Sequence, residues 1–504
     1  MGKIYEQQIT RFDGGIIDDI RENTDRGFQI TTNFDIFTNP LRLTPYRATT
    51  ANETPAQKIV RFLYTNGKLY GYGVASGNDR PAIYYKASDA IADAWTAPTD
   101  NEAGSGTTRW KHVFFHYKSY LYGWMDNATL WRWGDLTGTP TFTESYQSVT
   151  NFTYTAEPLI HPADDIAYFF TDNFVHTLNG SPSGTWTANA LTLPNNYVIT
   201  DAEPIGNLLA IACRPKDAGG KSIVFLWDRD STVTTLTEKI DWGEGNLLYI
   251  AYLDGNLIGV TDYFLNDTTL NLSAGKLVIK VAAGNKALTI KEIQKTTDDT
   301  TSFIPNTAIS AAGTNVDNTN LRAKIVRDNK LYIPGAVSDQ AETWRGAIVI
   351  TSDGRVTMDT VESEATGMQG MFLLGRYWFF AHSNDGSVNV TDSSNYGTAV
   401  YQSQKYTLGG ANKTKKLLIA TVLTAPLPAS ATAVLKYRKD EETTWITIFT
   451  NTTDNSIRRS SINIESSGDT LPSFKEIQFR IESTGGAEIT GLRFKAEEVE
   501  DDLI

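Results

Sequence analysis

The sequence predicts an all-β protein: a β-propeller of about seven blades, with an N-terminal extended arm and a C-terminal β-sandwich. Three observations lead to this prediction. Aromatic residues make up 11% of the 504 residues, and aromatic and β-branched side chains suit pleated, half-buried surfaces. A unit of apolar strand, polar turn and second apolar strand recurs about every 40 to 50 residues, the period of propeller blades. A different alternating pattern then fills the last hundred or so residues, the length of one sandwich.

Residues 1–58 form the predicted arm, which contains "RFDGGIIDDIRENTDRGFQITTNFDIFTNPLRLTPYR". A polar stretch of about 35 residues buries too little apolar surface to fold alone. It therefore needs other surfaces to order against. A disordered terminus is one alternative. Another is that the strand from Leu41 to Arg47 closes the propeller by completing the last blade.

Residues 59–398 form the predicted propeller. The repeated unit begins at "IVRFLYTNGKLYGYGV" and last appears in "MQGMFLLGRYWFFAHSNDGSVNV". Asn-Gly and Asp-Gly pairs in its turns are typical of hairpins, because both residues tolerate positive φ. The longer gap between Leu257 and Leu331 predicts an insertion near 262–320. The spacing gives seven units. Six or eight blades, or a large β-sandwich or several small ones, remain alternatives because no WD or kelch signature occurs.

Residues 399–504 form the predicted sandwich and an acidic tail. The segments "KTKKLLIATVLTA", "TAVLKYRKDEETTWITIFT" and "FKEIQFRIES" alternate apolar and polar residues, as strands with one buried face do. The last residues, "EEVEDDLI", are acidic, and we expect them to be mobile.

Charge and cysteine content exclude several classes of protein. The net charge of -13 argues against a protein that wraps nucleic acid, because phosphate binding needs clustered Lys and Arg. We expect no sequence-specific nucleic acid binding. The single cysteine, Cys213, excludes an intramolecular disulfide and a multi-cysteine zinc site. No apolar run reaches the length of about 18 residues that a membrane span needs.

The sequence predicts no catalytic residues, no cofactor and no metal site. His112 and His116 are spaced i, i+4, but on a strand they lie about 13 Å apart and cannot share an ion. His161 near Asp164 and Asp165 is typical of a polar loop as well as of a general base. No G-x-S-x-G, H-E-x-x-H or phosphate-binding glycine loop occurs. A glycosidase with paired carboxylates remains the alternative, because propellers host such enzymes.

Trp131 and Trp133 are the candidate ligand-binding aromatics. Alternation places both on one face of a strand, where they could stack on a sugar. Packing between blades also needs large rings and is the favoured explanation.

The chain resembles virion proteins of tailed bacteriophages in three regions. Phage neck and tail proteins often begin with an F-x-G-G segment, an Asp/Arg-rich stretch and a phrase resembling N-x-x-x-x-x-P-x-R-L-x-x-Y-R, as this chain does. The propeller-like middle and the C-terminal "YRKDEETTWITI", "FKEIQFRIES" and "AEITGLRF" resemble the parts of phage tail-tube, nozzle and stabilisation proteins.

The resemblance implies a non-enzymatic structural component of the virion. The expected role is a homo-oligomeric ring or accessory protein of the neck or tail, involved in assembly and genome passage. Portal, neck or tail ring proteins are the expected partners, and the location is the virion, assembled in the host cytoplasm. The alternative is a carbohydrate-binding or glycan-degrading propeller of a receptor-binding apparatus, using Trp131 and Trp133.

The resemblance also implies an assembly role for the charged and glycine residues of the arm. The paired glycines would let one backbone approach another, and the charged side chains would pair between subunits. These residues are Arg11, Asp13, Gly14, Gly15, Asp18, Asp19 and Arg21.

Overall fold

The computed structural model shows a chain built from strands. It describes residues 2–15, 17, 27–53, 58–74, 81–87, 94–98, 110–125, 129–148, 154–180, 184–217, 220–230, 238–267, 272–295, 301–305, 324–339, 342–362, 368–382, 388–410, 412–461 and 472–499. Within these ranges every regular element is a strand, so the all-β prediction is confirmed. None of the described residues forms a helix with the length and apolarity needed to cross a membrane.

The first 53 residues supply five strands, but these do not make a separate sheet. The strands β3 and β4 pair with each other, whereas the other three join sheets built from later parts of the chain. The bounds are β1 (Ile4–Ile9), β2 (Phe28–Thr32), β3 (Phe34–Asp35), β4 (Thr44–Pro45) and β5 (Arg47–Glu53).

Three antiparallel sheets follow in chain order, each built from strands that are neighbours in sequence. Their turns use residues that tolerate positive φ, such as Asn66 (φ 50°) and Gly67 (φ 70°), as tight hairpins require. The first sheet contains β6 (Lys58–Thr65), β7 (Lys68–Val74) and β8 (Pro81–Lys86); the second β9 (Trp110–Tyr117), β10 (Tyr120–Met125), β11 (Thr129–Gly134) and β12 (Thr141–Ser148); the third β13 (Tyr154–His161), β14 (Ile166–Thr171), β15 (Phe174–Asn179) and β16 (Thr185–Thr192).

Four further groups of strands continue the same arrangement and are called the fourth to seventh sheets, although β20 and β24 join the fourth and fifth through one residue pair and the sixth is part of a larger sheet. In the seventh, the N-terminal strand β5 pairs with the last strand of the sheet. The fourth sheet contains β17 (Tyr197–Ile205), β18 (Leu208–Pro215), β19 (Lys221–Trp227) and β20 (Glu238–Glu244); the fifth β21 (Asn246–Leu253), β22 (Asn256–Asp267), β23 (Leu272–Ala283) and β24 (Lys286–Lys295); the sixth β25 (Thr301–Pro305), β26 (Ile325–Arg327), β27 (Lys330–Asp339), β28 (Glu342–Thr351) and β29 (Val356–Glu362); the seventh β30 (Met368–Leu374), β31 (Tyr377–His382), β32 (Val388–Tyr396) and β5.

The seven sheets close into a ring. The strands β6, β9, β13, β17, β21, β27 and β30 contact one another in that order, and β30 contacts β6 again. A buried apolar cluster fills each junction between neighbouring sheets: for example, Trp131 packs with Tyr72 between the first and second sheets, and Phe379 packs with Phe62 between the seventh and first. We call these seven strands, together with β26, which pairs with β27, the inner strands.

The C-terminal strands form two layers beside the sixth sheet. One layer has the order β1-β40-β34-β37, with β38 also paired to β34, and the other has the order β33-β39-β35-β36. Phe479 and Phe494 pack against each other between the layers, with ring centroids 4.5 Å apart and ring planes tilted by 42°. The strands are β33 (Ala399–Ser403), β34 (Lys415–Thr424), β35 (Thr432–Lys439), β36 (Ile446–Asn451), β37 (Arg458–Ser461), β38 (Ser473–Phe474), β39 (Ile477–Thr484) and β40 (Ile489–Glu498).

A single N-terminal strand joins the ring to the C-terminal strands. β2 pairs on one side with β29 of the sixth sheet and on the other with β33. Arg480 strengthens the same junction: its guanidinium lies 2.6 Å from Glu342 of β28 and over the ring of Trp344. The continuous sheet therefore holds the two parts of the chain in one orientation.

The N-terminal segment, for which the phage resemblance implies ordering against neighbouring copies or another ring, packs against this same chain where the structure describes it. Residues 4–9 pair with β40, Phe12 is fully buried, and residues 28–32 lie inside a sheet. The apolar side chains spaced through the polar stretch are enough to bury it against this same chain. The strand that completes the seventh sheet is Arg47–Glu53 rather than Leu41–Arg47.

The predicted insertion near 262–320 is partly accounted for by strands. Residues up to 295 extend β22 and form β23 and β24, so the fifth sheet has unusually long outer strands. Most of the remaining positions of that range, and the acidic tail from 500 onward, lie outside the described residues.

Candidate functional site

A cluster of charged side chains lies among the inner strands, at the centre of the ring. Lys324, which directly precedes β26, donates hydrogen bonds to the carboxylates of Asp201 (2.8 Å) and Glu203 (2.9 Å) on β17. It also donates to the carbonyl oxygens of Ala202 (3.0 Å) and Ile250 (2.7 Å). One ammonium group thus links the inner strands of the fourth, fifth and sixth sheets.

A second ion pair crosses the ring. Nε of Arg61 on β6 lies 3.6 Å from Oε1 of Glu157 on β13. These strands belong to the first and third sheets, so the pair reaches past the second sheet. The side chain of Glu157 is 34% exposed, although protein surrounds its carboxyl group.

The electrostatics of this central cluster follow from its burial. Desolvation raises the pKa of the Glu157 carboxyl, and the Arg61 guanidinium only partly opposes that shift. For Lys324, burial works against the charge, but the Asp201 and Glu203 carboxylates outweigh it and raise the pKa. Lys324 therefore stays protonated at neutral pH, and the two cations are matched by three carboxyl groups.

This protonation limits the chemistry of the central cluster. A lysine acts as a nucleophile or general base only in its neutral form, which requires a lowered pKa. The pKa of Lys324 is raised instead, and its ammonium group is hydrogen-bonded to both carboxylates. The cluster is consequently suited to holding strands together.

The histidines within the described residues play local roles. His161 is buried; its Nδ1 accepts a hydrogen bond from the backbone of Ala163, and its Nε2 lies 3.1 Å from the Leu208 carbonyl. Burial lowers the pKa of His176 to about 4, so that ring is neutral at pH 7. His112 and His116 share the strand β9, as the sequence predicted. In the described part of the chain no three His, Cys, Asp or Glu residues gather to hold a metal ion.

Cys213 is fully buried, which raises the pKa of its thiol. A thiol that is neutral and inaccessible is a poor nucleophile.

Trp131 and Trp133 do not offer a surface for a sugar. Their side chains are 0% and 2% exposed, and both belong to the cluster between the first and second sheets. Trp131 packs against Tyr72 and Phe142 at centroid distances of 5.4 and 5.3 Å. The glycan-stacking interpretation of these two residues is corrected here, because stacking requires an exposed ring face.

The arm residues that the structure describes contact this same chain. Arg11 and Asp13 form an ion pair of 3.1 Å, and Arg355 donates to the Asp13 carbonyl oxygen. Gly15 has a φ of 76° and lies so close to Arg355 that a Cβ would be only 3.2 Å from its side chain. Gly14 lies in the same turn, whereas Asp18, Asp19 and Arg21 lie outside the described residues. A role of this segment between subunits stays a prediction.

Sequence reasoning did not find the central cluster. Its members are separated by up to about 260 positions, and each looks like an ordinary charged residue of a strand. The available signal was a charged residue within a largely apolar first strand of a repeat, as with Arg61 in "IVRFLYT" and Glu157 in "YTAEPLIH".

Comparison with known proteins gives distant structural similarity. No protein-family profile matches the chain, and no curated protein matches it. A virginiamycin B lyase from Staphylococcus aureus matches with a TM-score of 0.41 and 10% identity, over 68% of this chain and 98% of the lyase. Hydrazine synthase from Kuenenia stuttgartiensis matches with a TM-score of 0.42 and 12% identity, over 68% and 97%. BamB from Moraxella catarrhalis matches with a TM-score of 0.33 and 11% identity, over 69% and 97%. Similarity this low carries no argument about activity.

Proposed function

We propose that the protein is a non-catalytic structural component of a tailed-bacteriophage particle. In this proposal the seven sheets are the blades of a seven-bladed propeller and the C-terminal strands form a β-sandwich. The chain assembles as a homo-oligomeric ring or accessory protein of the neck or tail, in contact with portal, neck or tail ring proteins. Its location is the virion.

One observation carries the proposal: the first 53 residues complete three separate sheets. β5 closes the ring, β2 connects the ring to the C-terminal strands, and β1 extends a C-terminal layer. An enzyme that relies on lid or domain motion needs a hinge between its parts. Here the parts share backbone hydrogen bonds, which suits a rigid building block.

The charged centre supports a structural role as well. The ion pairs of Lys324 and Arg61 connect inner strands of five sheets. The resemblance of the N-terminal segment to phage neck and tail proteins supplies the biological setting. The glycan-binding alternative has lost its supporting residues, because Trp131 and Trp133 are buried.

Negative-stain electron microscopy of the purified protein tests the proposal. We expect closed rings of one symmetry at micromolar concentration, and no hydrolysis of host surface polysaccharide. The matched control is a dilution series, in which rings dissociate to single particles with the outline of one propeller. Single particles at every concentration, or turnover of a glycan, would contradict the proposal.

A further inference from the structure

Among the described residues, the strand β1 has an open edge in the C-terminal layer. It is the terminal strand of the order β1-β40-β34-β37. Six consecutive residues, from Ile4 to Ile9, pair with β40 without a bulge. Its outer side therefore presents a regular row of backbone donors and acceptors, which is the template that another strand needs.

The sequence of β1 lacks the features that protect edges. Folded proteins block open edges with lysine, proline or bulges, and "IYEQQI" has none of these. Its one charge, Glu6, pairs with Arg493 and Lys495 on the neighbouring strand β40. By contrast, the open edge strand β36 contains a bulge beside Lys436, and β37 carries two arginines.

A groove accompanies this edge. It has a volume of about 210 Å³ and is walled by two runs of consecutive residues, Tyr5–Gln7 on β1 and 405–409 on the other side. Side chains of a strand added to β1 would have space there. Ile4, at the start of the strand, is 55% exposed, and an added strand would cover it.

We infer that β1 pairs with β1 of a second copy of this chain, antiparallel and about a two-fold axis. In an antiparallel pair, residues that lie opposite one another point to the same face of the sheet. The two-fold axis therefore passes between two copies of the same residue. An axis at Glu6 would oppose two carboxylates, which is unfavourable. An axis at Gln7 instead places Gln7 opposite Gln7 and Glu6 opposite Gln8, and opposes no like charges within Ile4–Ile9; Lys3 and Arg11 face each other only beyond the strand ends.

A second copy of this chain is the expected partner of β1, because the strand is complementary to itself. The strand is uncharged apart from Glu6, and in the Gln7-centred register each Glu6 faces an amide that can donate to it. This contact deepens the homo-oligomeric function proposed above and rests on it for its setting. The two-fold contact alone gives a dimer, so a ring needs a second, different contact.

Two substitutions of Gln8 test the inference with opposite signs. Gln8→Lys places an ammonium opposite Glu6 of the second copy, twice per dimer, and Gln8→Glu places a carboxylate there. We expect the dissociation constant to fall for Gln8→Lys and to rise for Gln8→Glu, each by about threefold to tenfold. Sedimentation velocity over a concentration series at physiological salt measures it. Thr450→Glu, at an exposed position of β36, is the control and should leave association unchanged.

The two substitutions should change the stability of the single chain in the opposite direction to their effect on association. This difference separates an effect on folding from an effect on dimer formation. Within one chain Gln8 lies opposite Arg493, so Gln8→Glu should raise thermal stability slightly and Gln8→Lys should lower it. A wild-type protein that stays monomeric, or variants that shift association in the same direction or not at all, would overturn the inference. Rings that persist unchanged in Gln8→Glu would overturn it too, while leaving the proposed function intact.

Discussion

Replacing Lys324 with methionine should destabilise the ring of sheets strongly. The substitution keeps much of the side-chain volume but removes the ammonium group. It leaves Asp201 and Glu203 as uncompensated carboxylates, with side chains only 9% and 15% exposed. It also removes the donor that serves the Ile250 carbonyl oxygen at 2.7 Å. Breaking a buried ion pair by removing one partner costs about 3–5 kcal/mol, and we expect Lys324→Met to lie in that range.

The matched control is Lys216→Met. Lys216 pairs with Asp172 at the same N–O distance, 2.8 Å, but these side chains are 36% and 38% exposed. Exposed pairs contribute about 0–1 kcal/mol, because water screens them. Urea unfolding at pH 7, monitored by tryptophan fluorescence and by circular dichroism, gives the change in unfolding free energy for Lys324→Met and for Lys216→Met.

A double variant tests whether the uncompensated carboxylates cause the loss of stability. Combining Lys324→Met with Glu203→Gln removes one of the two abandoned charges and should recover part of the lost stability. Because the pKa of Lys324 is raised, its contribution is fully present below the unfolded value of about 10.4. Lys324 itself therefore does not titrate from pH 6 to 9, and the loss in Lys324→Met should be largest at the upper end of that range, because the abandoned Asp201 carboxyl, whose pKa burial already raises, takes up a proton as pH falls. Equal losses for Lys324→Met and Lys216→Met would refute the reasoning, because burial would then make no difference.

Three other predictions follow from buried groups and from net charge. Burial, with the nearby Asp35 carboxylate, raises the pKa of Asp359 to about 6, so the native protein holds a proton that the unfolded chain loses near pH 4. The free energy of unfolding should therefore fall by up to about 3 kcal/mol as pH rises from 4 to 6. Urea titrations at several pH values measure this fall, and Asp359→Asn should abolish it. Trp131→Ala should cost about 3–5 kcal/mol, whereas Tyr64→Ala, at a 38% exposed position, should change the unfolding midpoint little; similar losses for the two would contradict the packing role. With a net charge of -13, the protein should not retain duplex DNA in gel-shift assays at physiological salt, and tight binding would exclude a conduit along which DNA slides.

The strand composition and the repeat could be read from the sequence because they depend on local properties. Alternating apolar residues and Asn-Gly or Asp-Gly turns act over fewer than about ten residues. The repeats that begin near Ile59 and end near Val390 were therefore recognised, and the sheets found there match them. The aromatic residues of those repeats were also correctly favoured as packing residues, with Trp131 and Trp133 as the clearest case.

The tertiary structure decided the features that depend on distant parts of the chain. A polar N-terminal segment has no local signal for pairing with strands more than 300 residues away, yet β2 lies between β29 and β33 and β1 lies beside β40. The central cluster also depends on distant parts of the chain, because Lys324 contacts Asp201 only when the ring closes. Local pattern determines which residues form strands and which face is apolar. Closure of the ring determines which strands become neighbours and which charges are buried together, because those contacts exist only after the sheets have packed.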